Sequence, residues 1–254
     1  MGIRLGKVLS EQIEHLRYEP TAKRIRAFLG GTLAVDSTNA VLVWEVGRVV
    51  PTYAVPVSDV VVPLRRAGDA DGTAFRALSK PATSGSRVIL ASAPGASGSG
   101  VLPEDSDLSG YVILDFGNFE RWLEEDDEIF GHPRDPFHRV DVRNTSQHIQ
   151  VLMEGQVLAD TRQGKLVFET MLQTRYYLPP QDMLVKLAPT LTHTLCPYKG
   201  KASYWSFNAG DELVQDLIWS YENPLEDAVA LKGYLAFYDE KVDVLLDGKP
   251  AGTE

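Results

Sequence analysis

The sequence predicts a mainly β protein made of two tandem copies of one small antiparallel domain, with a few short helices. Three observations support this prediction: an internal repeat, short β-rich runs that end in turn residues, and few stretches with helical periodicity. Short strands separated by regularly spaced turn signals are typical of antiparallel all-β folds.

The internal repeat covers three separated blocks at a nearly constant offset. The offset is 124 (149 − 25) in the first block and 123 after a single deletion. The aligned blocks are residues 25–45 with 149–169, residues 53–59 with 176–182, and residues 110–111 with 233–234. The first copy therefore spans residues 1–131 and the second spans residues 132–254. Because residues 65–109 are rich in Gly, Ala and Ser, they predict a loop-like insert in a degenerate first copy.

Each copy opens with two β-rich runs joined by a turn, at Gly30-Gly31 and at Glu154-Gly155. Glycine adopts the positive φ that tight hairpin turns require, so both turns predict hairpins. The further predicted strands lie at residues 40–46, 165–171, 234–238 and 242–246, and the predicted helices at residues 10–17, 211–218 and 224–231.

Composition excludes several classes of protein. The hydrophobic fraction of 44% and charged fraction of 24% are those of a globular protein. A net charge of −10 repels phosphates and anionic lipids, so neither nucleic acid nor a membrane is an expected partner. The only cysteine, Cys196, leaves no internal disulfide, which fits a reducing, cytoplasmic location. Tandem domains can cover each other's sheet edges, which is compatible with a monomer.

Several motifs stand together in the second copy. They are His132 to Val140, Phe168-Glu169-Thr170, Thr174-Arg175-Tyr176-Tyr177-Leu178-Pro179, Cys196-Pro197-Tyr198-Lys199-Gly200 with Tyr204-Trp205, Trp219-Ser220-Tyr221, and Gly233 to Asp243. In this combination they resemble the bacterial family known as domain of unknown function 427 (DUF427), in the tandem form common in actinobacteria. The first copy matches these motifs more weakly.

The resemblance implies a fold similar to the β-tent class, many members of which hold zinc with paired Cys-x-x-Cys motifs. This chain has no such motif, so neither a metal nor a cofactor is predicted. The family also carries a nucleotidyltransferase-like label. The Gly-Ser and Asp-x-Asp pattern of such enzymes is matched only in letters, by Gly98-Ser99 and Asp105-Ser106-Asp107 in the loop-like insert. The resemblance brings no established activity with it.

Cys196, Lys199 and Glu169 are the candidate catalytic residues. Pro197 suits the second position of a β-turn, which would bring Cys196 and Lys199 to within ~7 Å of each other. A cation at that distance favours the reactive thiolate. The alternative is a small buried cysteine beside a structural turn.

The candidate ligand-binding residues are one arginine and a set of aromatic side chains. Arg175, with Glu169 nearby, is suited to bind an anionic group, and Thr52 replaces it in the first copy. The aromatic candidates are Tyr177, Tyr198, Tyr204, Trp205, Trp219 and Tyr221. Aromatic walls with a few polar groups are typical of small-ligand pockets. Ordinary core packing is the alternative for each ring, and ion pairing within the sheet is the alternative for Arg175 and Glu169.

Two neighbouring histidines raise the question of a metal site. His132, Asp135 and His138 offer three ligand atoms on one short loop, but Arg134 and Arg139 would repel a cation. We therefore favour the interpretation that this loop is an interdomain strap, a segment that links the two copies.

These residues predict a small-molecule enzyme or a ligand sensor, whose pocket lies in the second copy and binds an anionic group through Arg175 and Lys199. Two alternatives stay open: a non-catalytic module that holds a small ligand in an aromatic cage, and a protein-interaction scaffold. The sequence does not decide whether the protein is an enzyme.

Overall fold

A computed structural model describes residues 2–68, 83–210 and 212–252 of the chain. The chain divides into two compact units, Met1–Pro136 and Phe137–Glu254. The boundary expected from the sequence, after residue 131, lies slightly before this division. None of the helices in the described ranges has the length and apolar character of a membrane-spanning segment.

The first unit opens with a short helix, α1 (Leu5–Glu11), which continues as a 3-10 turn over Gln12–Glu14. Its strands are β1 (Arg17–Pro20), β2 (Ile25–Leu29), β3 (Thr32–Ser37), β4 (Val41–Trp44), β5 (Thr52–Pro56), β6 (Leu64–Arg66), β7 (Gly85–Ala93), β8 (Ala96–Pro103), β9 (Tyr111–Leu114), β10 (Arg121–Glu124) and β11 (Asp127–Ile129). Further 3-10 turns lie at Val57–Asp59, Ser106–Leu108 and Phe116–Asn118.

The second unit is built in the same way. Its strands are β12 (Val140–Asn144), β13 (Ile149–Met153), β14 (Gln156–Thr161), β15 (Lys165–Glu169), β16 (Arg175–Leu178), β17 (Ala188–Cys196), β18 (Gly200–Ala209), β19 (Glu212–Ser220), β20 (Leu235–Phe237), β21 (Asp243–Leu246) and β22 (Lys249–Pro250). Its 3-10 helices lie at Pro180–Asp182, Glu226–Leu231 and Asp239–Lys241.

Each unit contains one seven-stranded and one four-stranded sheet, and the strands of each sheet pair antiparallel. The seven-stranded sheets run β1-β4-β5-β9-β8-β7-β6 and β12-β15-β16-β20-β19-β18-β17, so the two units share one strand order. The four-stranded sheets, β11-β10-β2-β3 and β14-β13-β21-β22, also correspond. The prediction of a mainly β protein with tandem antiparallel domains is confirmed. The likeness to the β-tent class remains a prediction.

Both predicted opening hairpins are present. The turn residues all have positive φ, 57° and 73° at Gly30 and Gly31 and 50° and 82° at Glu154 and Gly155. Two consecutive residues of this kind give the turn that matches the twist of antiparallel strands. Glycine marks these turns in the sequence because it adopts positive φ without a steric clash of a Cβ atom.

The seven-stranded sheet of the second unit carries a different cluster of buried side chains on each face. One cluster includes Ile149, Leu158, Tyr176 and Phe207, and its residues come from both sheets. The other includes Tyr177 and is rich in aromatic rings. Successive strand residues point to opposite faces, which places Tyr176 in the first cluster and Tyr177 in the second. The second face carries the candidate site.

The helix predicted over residues 211–218 is wrong. Residues 212–220 form strand β19, and Asp211 lies outside the described residues. A β-bulge interrupts the pairing of β19 with β18, and Asp216 within it has a positive φ of 53°. Three residues of β19 face one residue of β18 at this bulge, which places Val214, Leu217 and Ile218 on one face and produces the helix-like spacing of apolar residues. The two other predicted helices overlap α1 and the 3-10 helix Glu226–Leu231.

The loop predicted within residues 65–109 is also wrong where the structure describes this segment. Strands β7 and β8 form a long hairpin in which Val88, Ile89 and Leu90 are buried. Glycine serves close packing here rather than flexibility. A Cβ on Gly98 would lie 2.7 Å from the Phe119 ring, and a Cβ on Gly100 would lie 2.5 Å from the Ile113 carbonyl oxygen.

Replacing Gly100 by alanine should destabilise the first unit. The added methyl group meets backbone rather than a movable side chain, so the overpacking should cost about 1–3 kcal/mol. The measurement is the free energy of unfolding from urea denaturation. Gly6→Ala is the control, since nothing lies within 4 Å of that Cβ position. Equal stability of the two variants would contradict the close packing of β8 against β9.

Candidate functional site

A cavity of about 430 Å³ opens on the aromatic face of the second unit's large sheet. Strands β15, β16, β18 and β19 supply its floor, and the segment after β20 supplies one wall. The lining residues are Glu169, Met171, Leu172, Gln173, Arg175, Lys199, Tyr204, Trp219, Tyr221, Tyr238 and Glu240. The sheet thus brings together polar and aromatic residues that are far apart in the sequence.

One wall of the cavity holds a buried ion pair between Glu169 and Lys199. The Lys199 ammonium donates a hydrogen bond to Glu169 Oε1, and only 5% of the Glu169 side chain is exposed. His138 Nε2 lies 3.4 Å from Glu169 Oε2, and the His138 ring packs against Tyr198 in a tilted arrangement, with the ring centroids 4.3 Å apart. Glu169 ends β15, and Lys199 ends the turn between β17 and β18. The hairpin therefore sets the distance between the two charges.

The surroundings of Glu169 keep its carboxylate ionised. Burial opposes ionisation, but the interaction with His138 and the charge of Lys199 outweigh it and lower the pKa of Glu169. Burial raises the pKa of both Tyr177 and Tyr221, so their hydroxyls stay protonated at neutral pH. The polar wall thus combines the Glu169–Lys199 ion pair with the neutral hydroxyl of Tyr221.

The aromatic residues form a continuous surface beside this wall. The ring centroids of Trp219 and Tyr238 are 4.7 Å apart, and those of Tyr204 and Tyr238 are 6.5 Å apart. The hydroxyl oxygens of Tyr204 and Tyr238 lie within 3.2 Å, and Thr194 Oγ1 lies 2.9 Å from the Tyr204 hydroxyl. Burial and the hydrogen bond with Tyr204 raise the pKa of Tyr238 to about 12. The Trp219 and Tyr238 ring planes are inclined by 48°, and Trp219 is only 8% exposed, so these rings present a narrow apolar surface edged with hydroxyls.

Arg175 stands at the opposite edge of the cavity and pairs with two carboxylates. Both of its terminal nitrogens donate hydrogen bonds to Glu240, and Nη1 also lies 3.3 Å from Asp239 Oδ2. The Arg175 guanidinium lies over the Trp219 ring, 6.0 Å from its centroid. Burial raises the pKa of Asp239 to about 6, although the charge of Arg175 acts in the opposite direction.

Not all residues predicted for the site reach the cavity. Tyr204 lines it, whereas Trp205, the next residue on β18, packs against the cluster on the opposite face. Tyr177 lies behind Trp219 and accepts a hydrogen bond from its indole nitrogen at 3.1 Å. Cys196 packs within the aromatic cluster and is not among the lining residues. Tyr198 supports His138 instead.

Four contributors to the site were not predicted from the sequence. Tyr238 and Glu240 follow the short strand β20, and no periodicity marked them as pocket residues. His138 was considered only as a metal ligand or part of a strap, whereas it contacts Glu169. Met171, at the rim, has a positive φ of 63°, which is uncommon for a residue with a side chain. The motif around residues 233–243 was the one signal that pointed to this wall.

The described part of the chain contains no group of three or more His, Cys, Asp or Glu residues arranged to hold a metal ion. Asp105, in the segment that resembled a nucleotidyltransferase pattern, accepts a hydrogen bond from the Asp107 backbone and caps a 3-10 turn. Ser99 of the same pattern lies buried in β8.

The first unit has a cavity at the corresponding place on its own large sheet, with a volume of about 320 Å³. Glu45, which aligns with Glu169, lines it and pairs with Arg48, its carboxylate 3.1 Å from the Arg48 Nε. Thr52 stands in place of Arg175, and Val101 occupies the position that Trp219 has in the second unit. The carboxylate is thus common to both units, whereas the aromatic surface and Arg175 are not.

A family model described as domain of unknown function (DUF427) matches residues 141–248. This segment includes all the lining residues of the 430 Å³ cavity. The second unit is a member of the DUF427 family. A comparison with curated proteins finds no match.

Replacing Glu169 by glutamine in the DUF427 unit should cost about 3 kcal/mol of stability, because it leaves Lys199 buried without a counter-charge. Urea denaturation measures this cost. Asp141→Asn is the control, because Asp141 pairs with the exposed Arg139 and Arg143, and its loss should cost less than about 1 kcal/mol. A cost for Glu169→Gln as small as that of the control would mean that water screens the pair.

Replacing Asp239 by asparagine should raise the melting temperature at pH 7.5. The folded-state pKa of about 6 exceeds the value of 3.8 for an unperturbed aspartate, so the stabilisation by this carboxyl is complete only below pH 3.8 and is lost as the pH rises through 6. Asparagine avoids that loss, so the difference from wild type should shrink as the pH falls through 6 and disappear below about pH 3.8.

Asp160→Asn is the opposite-sign control, measured over the same pH range. Hydrogen bonds from His148 and Gln150 lower the pKa of Asp160, so its stabilisation is present at neutral pH and is lost in acid. That variant should melt below wild type at pH 7.5. If Asp239→Asn behaved in the same way, Arg175 would outweigh burial at Asp239.

Proposed function

We propose that the DUF427 unit binds a small molecule in the cavity formed by its aromatic face. The observation that supports this proposal is the convergence of four aromatic residues, Trp219, Tyr204, Tyr221 and Tyr238, and a buried ion pair on one open cavity. Small-ligand sites are mostly apolar concavities with a few convergent polar groups. The concavity is open to solvent and has a volume of about 430 Å³, which is enough room for a small ligand.

The polar groups fit recognition better than nucleophilic catalysis. Glu169 is held by Lys199 and lies close to His138, so it presents a fixed charge rather than a free base. Lys199 has three donor hydrogens, and its bond to Glu169 leaves others for a ligand. Cys196 packs behind the cavity lining, so covalent chemistry at its thiol is not part of the proposal.

The proposed ligand has an apolar part that packs against Trp219 and Tyr238 and a polar group that meets the Glu169–Lys199 wall. A ligand sensor and an enzyme acting through bound water would both need this arrangement, and binding is their shared first step. We propose that this function is carried out in the cytoplasm, because a chain with a single cysteine and no internal disulfide fits a reducing compartment.

The test is a thermal-shift screen of small planar metabolites against the wild-type protein and the Trp219→Leu variant. Binding to the folded state at 100 times the dissociation constant stabilises it by about 2.7 kcal/mol, which gives a clear rise in melting temperature. Trp219→Leu should remove that rise, because it deletes the stacking surface.

Trp205→Leu is the matched control. It removes the same side chain from the same sheet, but on the face that the cavity does not use. Compounds that stabilise wild type and Trp205→Leu but not Trp219→Leu support the proposal. A screen in which no compound distinguishes Trp219→Leu from Trp205→Leu would contradict the proposal that this cavity binds a ligand.

A further inference from the structure

We propose that the ligand of this cavity carries a carboxylate, and that Glu240 occupies the ligand carboxylate's place at Arg175 when the site is empty. The inference rests on the proposed function and adds the chemical class of the ligand. It also assigns Glu240 as the group that a ligand must displace.

Arg175 has the geometry of a carboxylate receptor. Its guanidinium faces Glu240 with two nitrogens, the paired arrangement by which arginine recognises a planar anion. It lines the cavity and lies over the Trp219 ring, so a group bound to it would continue directly onto the aromatic surface. Only 23% of the Arg175 side chain is exposed, and its direction is therefore fixed by packing.

The two cations of the cavity differ in how readily they exchange their partners. The partner of Lys199, Glu169, is 5% exposed and also contacts His138, so removing it from Lys199 would leave a buried charge unpaired. The partner of Arg175, Glu240, is 56% exposed and can turn into water. An incoming anion would therefore replace Glu240 rather than Glu169.

The exchange preserves the charge balance around Arg175. One carboxylate replaces another at the two terminal nitrogens, while Asp239, whose side chain is 18% exposed, stays 3.3 Å from Nη1. The displaced Glu240 becomes hydrated, and the ligand carboxylate remakes the paired hydrogen bonds that Glu240 gave up. Glu240 and the ligand carboxylate therefore compete for Arg175, so removing the Glu240 charge should tighten the binding of acids.

The first unit supports the same assignment, because both partners are absent from it together. At the offset of 123, Thr52 stands for Arg175 and Gly117 stands for Glu240. Both replacements still line the first unit's cavity. The Arg175–Glu240 pair is thus found in the unit that has the Trp219 surface and not in the other, as expected if both serve one ligand.

The experiment uses two pairs of probes, 4-hydroxyphenylacetate with its amide and indole-3-acetate with its amide. Each amide keeps the ring and the shape but lacks the charge. Dissociation constants are measured by calorimetry for the full chain as wild type, Glu240→Gln, Arg175→Gln and Trp219→Leu. Glu212→Gln is the matched control, since it removes one exposed negative charge from β19 outside the cavity lining.

Glu240→Gln should bind the acids at least fivefold more tightly than wild type and change amide binding less than twofold. Arg175→Gln should abolish the preference for acid over amide, and Glu212→Gln should change neither. If the acids gain nothing in Glu240→Gln while the amides bind and Trp219→Leu removes that binding, the carboxylate assignment is wrong and the proposed function stands. If neither acids nor amides bind any of the variants, both proposals are overturned.

Discussion

The two-residue period of a β-strand is the constraint on which the second unit's organisation depends. Every strand of the large sheet offers one set of side chains to the small sheet and the other set to the opposite face. Tyr176 and Trp205 pack on the first side, and Tyr177 and Tyr204 pack on the second. A single-residue slip of β18 would exchange Tyr204 for Trp205 and place an indole where a hydroxyl now meets Tyr238. Site and core are thus specified by the same register.

A buried carboxylate at the end of one strand is retained in both units, but its partner differs. In the second unit Glu169 is bound by Lys199, which arrives from a hairpin on the far side of the sheet. In the first unit Glu45 accepts a hydrogen bond from the Thr83 backbone and pairs with Arg48, three residues away. A buried charge cannot be left unpaired, so each unit had to supply a cation or donors within reach. Duplication therefore conserved the need for a partner rather than its identity.

Sequence patterns predicted the frame well, because turns and strand periodicity are local. The hairpins at Gly30-Gly31 and Glu154-Gly155 follow from backbone sterics alone. The loop and helix predictions failed in segments whose secondary structure depends on tertiary contacts. Gly98 and Gly100 are required for the close approach of neighbouring side chains and backbone, but in the sequence they are indistinguishable from flexible loop glycines. The bulge at Asp216 imitates helical spacing.

The candidate site was predictable in composition but not in its charge pairing. Repeat comparison singled out Glu169, Arg175, Lys199 and the aromatic residues of the second copy, and most of them meet in one cavity. Which carboxylate neutralises which cation depends on strand pairing across the sheet, and no local pattern encodes it. Glu240 is the clearest case, since it lies 65 residues from Arg175 in the chain and faces it only because β20 pairs with β16.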